Sequence, residues 1–255
     1  MLKKRLIFSL LYDSGYFCLS RNFRLQRVGD LKWLQENYNF EYISKYIDEL
    51  IIIDVSRDKK DLGKFCDTLK DLTDKLFVPI SSGGGIRNLD DARYLLDSGA
   101  DKVILNTSLF ENIDLIKNLA IEFGRQCIVG SLDFKKEKGE YNFFISNGNQ
   151  RINKKNEEII RILKDSPLGE IIFHSIDRDG TGQGFDLDFL SILKKEINVP
   201  IIISGGAGNG KHLIEGLKHY MVDAVSSSHL FNFIGDGLKK AREKAIESNI
   251  SLAKW

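Results

Sequence analysis

The sequence predicts an α/β fold of one kind, a (β/α)8 barrel (TIM barrel) made of two similar half-barrels. Short apolar runs alternate with amphipathic segments along all 255 residues, giving eight units of similar length, which matches the size of this barrel. The runs are continuously apolar, as in IIID at 51–54 and PIIIS at 200–204, and this is typical of parallel strands buried on both faces. A doubly wound sheet rarely needs eight near-equal units.

Each predicted strand is a run rich in Ile, Val and Leu, and each predicted helix has apolar residues at helical spacing. The strands are predicted over 5–11, 49–55, 77–82, 101–106, 126–133, 170–176, 199–204 and 222–228. The helices are predicted over 31–46, 58–76, 89–98, 111–123, 154–165, 186–197, 209–219 and 235–248. Two longer connections remain. We expect 134–153 to form a small hairpin, and 12–30, with its arginines and aromatic residues, to form a loop that covers an anionic ligand.

The chain also repeats itself once. IFSLL at 7–11 matches VGSLD at 129–133, and SGGGIRN at 82–88 matches SGGAGNG at 204–210, both at the same offset. Matched glycines and a constant offset make a chance likeness of apolar strands a poor explanation. We therefore predict one barrel domain over 1–255, with half-barrels at about 1–124 and 125–255.

The composition argues against several classes of function. With 37 Lys and Arg against 36 Asp and Glu, the net charge is +1, so no global field recruits nucleic acid. No apolar run approaches the roughly 18 residues that a membrane helix needs. The three cysteines lack CxxC spacing and the four histidines lack ligand spacing. We expect a cytoplasmic protein with reduced thiols, no metal, no other cofactor, and neither nucleic acid nor a membrane as a partner.

Two glycine-rich turns follow the third and seventh predicted strands, at the barrel end where active sites lie. Bare backbone N–H groups and helix N-termini at such turns bind anions. Polar residues after the fourth, sixth and eighth strands complete two symmetry-related phosphate sites. The predicted phosphate-binding residues are Gly84, Gly85, Asn106, Thr107, Asp179, Gly180, Gly206, Ala207, Ser228 and His229. We expect a phosphorylated small molecule with a phosphate at each end.

Three acidic residues end predicted strands between these sites, namely Asp54, Asp133 and Asp177. Such a residue can act as a general acid or base, or it can cap the next helix or pair with a lysine. For Asp54 the two interpretations have equal weight. Asp133 ends the fifth strand in the middle of the predicted mouth, so we interpret it as catalytic.

The motifs together resemble one family over the whole chain. They are Arg5, DEL at 48–50, SGGGI at 82–86, GADKVILNT at 99–107, SIDRDGTGQGFD at 175–186 and SGGAG at 204–208. The chain is similar to the cyclase subunit of imidazole glycerol phosphate synthase, nearest to its glycosyl-amidation branch found with surface-polysaccharide (O-antigen) genes. The resemblance implies a bisphosphorylated ribosyl aminoimidazole substrate, ammonia from a glutaminase partner, and two aspartates as general acid and base.

The chain departs from that family at the mouth. Leu11 stands where the resemblance implies the second catalytic aspartate, and Leu19 stands where it implies a lysine. His174 replaces a threonine, and His229 replaces a phosphate-binding serine. Losing one positioned acid–base group lowers a rate by a factor on the order of 10²–10⁴, so we expect the chain's own cyclase activity to be weak.

At the opposite end of the barrel, the chain departs less from that family. Four charged residues start the first, second, fourth and sixth predicted strands: Arg5, Glu49, Lys102 and Glu170. Residues at this end usually serve fold stability. The resemblance implies instead that the four form a ring through which ammonia enters the barrel, which we call the ammonia gate. A buried ionic ring is a poor stability device compared with apolar packing, which favours the gate.

Three hypotheses follow. The first is a cyclase-like subunit that takes ammonia from a glutaminase and supplies it to a sugar amidotransferase, which converts an acetamido sugar to an acetamidino sugar. The second is the ordinary cyclase of histidine biosynthesis, with Asp13, His174 or another group replacing the missing acid. The third is a catalytically silent scaffold that activates the glutaminase.

Overall fold

The computed structural model describes residues 3–58, 60–74, 76–193, 196–228 and 236–252. Its strands are β1 (Arg5–Asp13), β2 (Tyr16–Arg21), β3 (Arg24–Gly29), β4 (Glu49–Asp54), β5 (Ile80–Gly83), β6 (Lys102–Leu105), β7 (Ile128–Glu137), β8 (Glu140–Ile145), β9 (Gln150–Arg151), β10 (Glu170–Ser175), β11 (Ile201–Ser204) and β12 (Ala224–Ser227). Eight of them, β1, β4, β5, β6, β7, β10, β11 and β12, pair in parallel in that order, and β12 pairs with β1. The ring is closed, so the predicted (β/α)8 barrel is confirmed.

Helices connect the barrel strands and pack on the outside. They are α1 (Leu31–Asn37), α2 (Phe40–Ser44), α3 (Leu62–Thr73), α4 (Leu89–Asp97), α5 (Thr107–Glu111), α6 (Ile113–Phe123), α7 (Asn156–Asp165), α8 (Gly210–Lys218) and α9 (Gly237–Glu247). The predicted helix at 31–46 is two helices, because the Asn39 side chain accepts a hydrogen bond from the Tyr42 N–H and starts α2. The predicted helix at 186–197 is a 3-10 segment, Asp188–Leu193.

Two hairpins extend the barrel at equivalent places in the two halves of the chain. The β7–β8 hairpin was expected from the sequence. The segment 12–30 is predicted to be a loop, and this is wrong, because β2 and β3 form a hairpin that pairs with the end of β1. Its role as a cover over an anionic ligand stays a prediction. The turn of that hairpin is Asn22 and Phe23, both with positive φ (51° and 62°), so no glycine marks it in the sequence. The half-barrel limits and the single-domain assignment stay predictions.

Side chains that face the barrel interior form successive rows, because alternate residues of a strand point to the same face. At the amino end of the strands, which we call the bottom, the row is charged and contains Arg5, Glu49, Lys102 and Glu170. The next row is apolar and consists of Ile7, Ile51, Ile104, Val129, Ile172, Ile202 and Ala224. Above it, the hydroxyls of Ser9 and Ser226 share a hydrogen bond. The interior thus changes from charged to apolar to polar toward the carboxyl end, which we call the mouth.

Candidate active site at the barrel mouth

Leu11 and Asp133 occupy matching places on β1 and β7, two strands that lie across the barrel from each other. Both follow the alternation of inward-facing residues, and both are 7% exposed. Leu11 packs in the mouth without a group that transfers protons, whereas Asp133 brings a carboxyl group. The structure therefore places the predicted catalytic acid in the mouth and an apolar side chain where its mate would stand.

Asp133 is held by a neighbour from the adjacent strand. The Asn106 side-chain amide lies 3.3 Å from an Asp133 carboxylate oxygen and donates to it, and also donates to the Ser131 carbonyl at 3.1 Å. Burial raises the pKa of Asp133 to about 6, with a smaller contribution from Asp179, and His174 and Asn106 oppose the rise. A carboxyl group with this pKa exchanges protons near neutral pH, as a general acid or base requires.

His174 lies beside Asp133 because β10 and β7 pair with these two residues in register. Its Nε2 lies 3.5 Å from an Asp179 carboxylate oxygen. Burial lowers the pKa of His174, but Asp179 and then Asp133 outweigh it, so the pKa is raised. The ring also packs edge-on against Phe23, with centroids 5.0 Å apart. The mouth thus holds a His–Asp pair next to Asp133 that the sequence alone did not bring together.

At pH 7.5, Asp133→Asn should raise the free energy of unfolding by about 3 kcal/mol, because it removes a buried carboxyl group that ionises at this pH. A buried carboxyl group whose folded pKa lies above its unfolded value stabilises the fold below about pH 3.8, and this contribution is lost as pH rises through about 6. The asparagine does not ionise and avoids that loss. Urea unfolding of the parent and the variant at pH 5.0 and 7.5 measures this difference. An equal increase in the free energy of unfolding at both pH values would contradict the raised pKa of Asp133.

Predicted phosphate residues of the second half line one cavity of about 190 Å³. Asp179, Gly180, Gly206, Ala207 and Ser228 all contribute to its wall. Gly206 has a φ of +111°, and a Cβ there would meet the Gly184 backbone, so glycine is required for the turn. His229, also predicted for this site, lies outside the described residues.

Predicted phosphate residues of the first half lie on the other side of the mouth and do not line that cavity. Gly84 has a φ of +118°, and a Cβ there would meet the Asp54 backbone. The Lys60 side chain lies against Gly85. Thr107 accepts a hydrogen bond from the Ser146 N–H at 3.1 Å. The two glycine turns have related backbones, but the space beside them differs.

The other candidate acids have structural partners. Asp54 accepts a hydrogen bond from the Ser56 N–H at 2.9 Å and pairs with Lys60 at 3.4 Å. It therefore pairs with a lysine, whereas the next helix, α3, is capped by Asp61. Asp177 accepts a hydrogen bond from the Lys136 N–H at 2.7 Å. Asp13 pairs with Arg27 at 2.9 Å. None of these three carboxylates lines the cavity.

The charged ring at the bottom is closed. Arg5 contacts Glu49 at 2.7 Å and also contacts Glu170, while Lys102 contacts Glu49 at 3.0 Å and also contacts Glu170. Each cation therefore bridges both anions. The two cations hold the pKa of Glu170 below its usual range although burial opposes this. The four residues form a neutral plug beneath the apolar row, while their function as an ammonia gate stays a prediction.

The sequence model of the histidine biosynthesis protein family matches residues 35–233 of this chain. The chain belongs to the histidine biosynthesis protein family. Within the family, it is similar to proteins named as the HisF subunit of imidazole glycerol phosphate synthase, so the resemblance to the cyclase subunit is confirmed.

Three of these relatives illustrate the likeness. A protein of Parasynechococcus marenigrum (strain WH8102), provisionally named imidazole glycerol phosphate synthase subunit hisF2, is 50% identical over 100% of this chain and 95% of its own length. The subunit HisF of Clostridium botulinum (strain 657 / Type Ba4) is 38% identical over 91% of this chain and 92% of its own. HisF of Dictyoglomus turgidum (strain DSM 6724 / Z-1310) is 38% identical over 86% and 87%.

The sequence did not predict several of the residues that line the barrel mouth. Ser204, Ser226 and Gln26 line the cavity, but polar residues within strands carry no signal of their own. No three His, Cys, Asp or Glu side chains group as metal ligands in the part of the chain that the structure describes. Among those same residues, no helix is long and apolar enough to span a membrane.

Proposed function

We propose that this chain is the ammonia-receiving barrel subunit of a glutamine amidotransferase complex, with a glutaminase bound over the charged ring. The closed ring of Arg5, Glu49, Lys102 and Glu170 is the observation that carries the proposal. A buried ionic ring contributes little stability compared with apolar side chains of the same volume, so its presence favours a functional role. Relatives that carry the name of a synthase subunit support the same assembly.

The interior rows suit neutral ammonia. Above the ring, the apolar row of Ile7, Ile51, Ile172 and its neighbours would impose a large desolvation penalty on ammonium. The ring contains two cations and two anions, so its net charge is zero. It lies between the apolar interior and the solvent at the bottom of the barrel. Neutral ammonia admitted at the bottom would cross the apolar row and reach the hydroxyls of Ser9 and Ser226.

The mouth would hold a phosphorylated ligand. Backbone N–H groups near Gly206 and Ala207, together with the Ser228 side chain, would bind one phosphate in the cavity. Gly84 and Gly85 occupy the matching place in the first half. Asp133 is the group that would exchange protons with a bound ligand, since its pKa is about 6.

The ammonia would then react with an acceptor other than the substrate of the cyclase. Leu11 neither gives nor takes a proton, and its buried side chain fills the place of the second acid. We propose amidination of an acetamido sugar in surface-polysaccharide synthesis, carried out with a sugar amidotransferase. The resemblance to the glycosyl-amidation branch is what supports this choice.

A second candidate is the cyclase of histidine biosynthesis itself, converting the bisphosphorylated substrate to imidazole glycerol phosphate. One observation favours it: His174, paired with Asp179, lies next to Asp133 in the mouth. An imidazole held by a carboxylate is a competent proton carrier. In this case His174 would carry out part of the proton transfer that the missing aspartate would otherwise perform.

Growth of a bacterial strain that lacks its own cyclase subunit separates the two candidates. The chain is expressed together with a glutaminase subunit from the same genome, on medium without histidine. We expect no growth, whereas HisF of Clostridium botulinum serves as the positive control. Growth at the control rate would overturn the main proposal in favour of the second candidate.

A further inference from the structure

The tip of the β2–β3 hairpin carries two arginines directly opposite each other. Arg21 and Arg24 are cross-strand partners in the hairpin register. Like charges in this position are destabilising. Neither side chain forms an ion pair or a side-chain hydrogen bond with any residue that the structure describes. By contrast, Arg27 on the same hairpin pairs with Asp13 at 2.9 Å. Two adjacent cations without a counter-charge favour the binding of an anion.

The hairpin tip is fixed over the mouth, so the two arginines are held in place. The Asn22 amide donates to the Ile176 and Asp177 carbonyls, at 3.0 Å each. The Phe23 N–H donates to the Asp179 carboxylate at 3.0 Å. Phe23 has a φ of 62°, which is strained for an aromatic residue. These hydrogen bonds hold the turn, and with it the adjacent Arg21 and Arg24, against the mouth.

Both arginines line the same cavity as the second glycine turn. Its wall includes Arg21 and Arg24 on one side and Gly206, Ala207 and Ser228 on the other. Asp179 also lines this wall, but its carboxylate already accepts hydrogen bonds from the Ser20 hydroxyl and the Phe23 N–H, and His174 lies 3.5 Å away. An anion in this cavity would therefore meet donors on two sides.

We propose that Arg21 and Arg24 form a clamp for the phosphoryl group of a ligand bound at this cavity. The inference rests on the proposed function, because it specifies the ligand of the same mouth. Guanidinium groups bind phosphate oxygens through two parallel N–H donors, which a lysine cannot do. Leu19, which also lines the cavity, provides no charge, so the clamp supplies the cations of this wall. The ligand class is a sugar phosphate or another phosphomonoester.

The test is calorimetric titration of the full chain with ribose 5-phosphate and, separately, inorganic phosphate. Arg21→Gln and Arg24→Gln should each weaken ribose 5-phosphate binding by about tenfold or more, because hydrogen bonds between charged groups are strong. The matched control is Arg27→Gln, which removes an arginine from the same hairpin but outside the cavity, and should bind like the parent. Tighter binding of ribose 5-phosphate than of inorganic phosphate identifies the sugar phosphate as the ligand class.

Stability separates a clamp from a structural role. Because the two arginines repel each other, Arg21→Gln should leave the melting temperature of the unliganded chain unchanged or raised. A lower melting temperature with unchanged binding would overturn the clamp, as would no binding of either probe by the parent. Arg21→Lys and Arg24→Lys keep the charge and should bind at intermediate strength. The titration involves no glutaminase, so failure of the ammonia-receiving role would leave a positive result standing.

Discussion

The purified chain is expected to convert the bisphosphorylated ribosyl aminoimidazole and ammonium at no more than about one-hundredth the rate of HisF of Dictyoglomus turgidum. The reason is Leu11, which is buried in the mouth and cannot transfer a proton. One correctly placed acid–base group contributes on the order of 10²–10⁴ in rate. Chromatographic measurement of imidazole glycerol phosphate formation checks the expectation, with both proteins assayed at saturating ammonium.

Leu11→Asp should recover part of the lost rate, by about tenfold or more, because it restores a carboxyl group opposite Asp133. Recovery stays partial, since Leu19 provides no cation at the mouth. Leu11→Asn is the matched control, with nearly the same shape as the aspartate but no proton to exchange. A parent rate within about tenfold of the relative, or equal recovery in both variants, would contradict a proton-transfer defect at this position.

Lys102→Met is expected to lower the free energy of unfolding by about 3–5 kcal/mol, since it leaves buried carboxylates short of a partner. Lys102 contacts both Glu49 and Glu170, and the single remaining cation, Arg5, cannot balance two anions. Urea unfolding at neutral pH measures the loss.

A double variant, Lys102→Met with Glu170→Gln, restores charge balance around Arg5 and Glu49, so it should regain part of that stability. Lys117→Met is the matched surface control. Its exposed pair with Asp114 should contribute at most about 1 kcal/mol. If Lys102→Met and Lys117→Met lose the same amount, the ring is not a coupled buried unit.

The barrel was predictable because its signals are local and repeated. Continuous apolar runs marked each barrel strand, and the glycine turns at 82–85 and 204–206 marked the strand ends. The β2–β3 hairpin was missed because its turn joins Asn22 to Phe23 in the left-handed conformation. Asparagine adopts this conformation readily, but phenylalanine rarely does, and a glycine would have been the signal. Pro200 cannot donate a backbone hydrogen bond, and the seventh barrel strand begins after it, at Ile201.

The candidate site was predictable in its parts but not in its arrangement. The sequence placed Asp133 and the glycine turns at the mouth, because parallel strands share one carboxyl edge. The pairing of His174 with Asp179 depends on side-chain contacts across 3.5 Å, and strand assignments do not supply these. The difference between the two predicted phosphate regions likewise depends on the hairpin that carries Arg21, because Arg21 lines the cavity of the second region.

The most direct test of the ammonia-receiving role is glutamine hydrolysis by a glutaminase subunit from the same genome. The rate is measured for the glutaminase alone, with the parent chain, and with Glu170→Ala, after checking which pairs co-purify. The account predicts a stable complex, faster hydrolysis with the parent chain, and altered coupling with the variant, whose ring is broken at the proposed interface. No stable complex and an unchanged hydrolysis rate would contradict it and leave the charged ring as a purely structural feature.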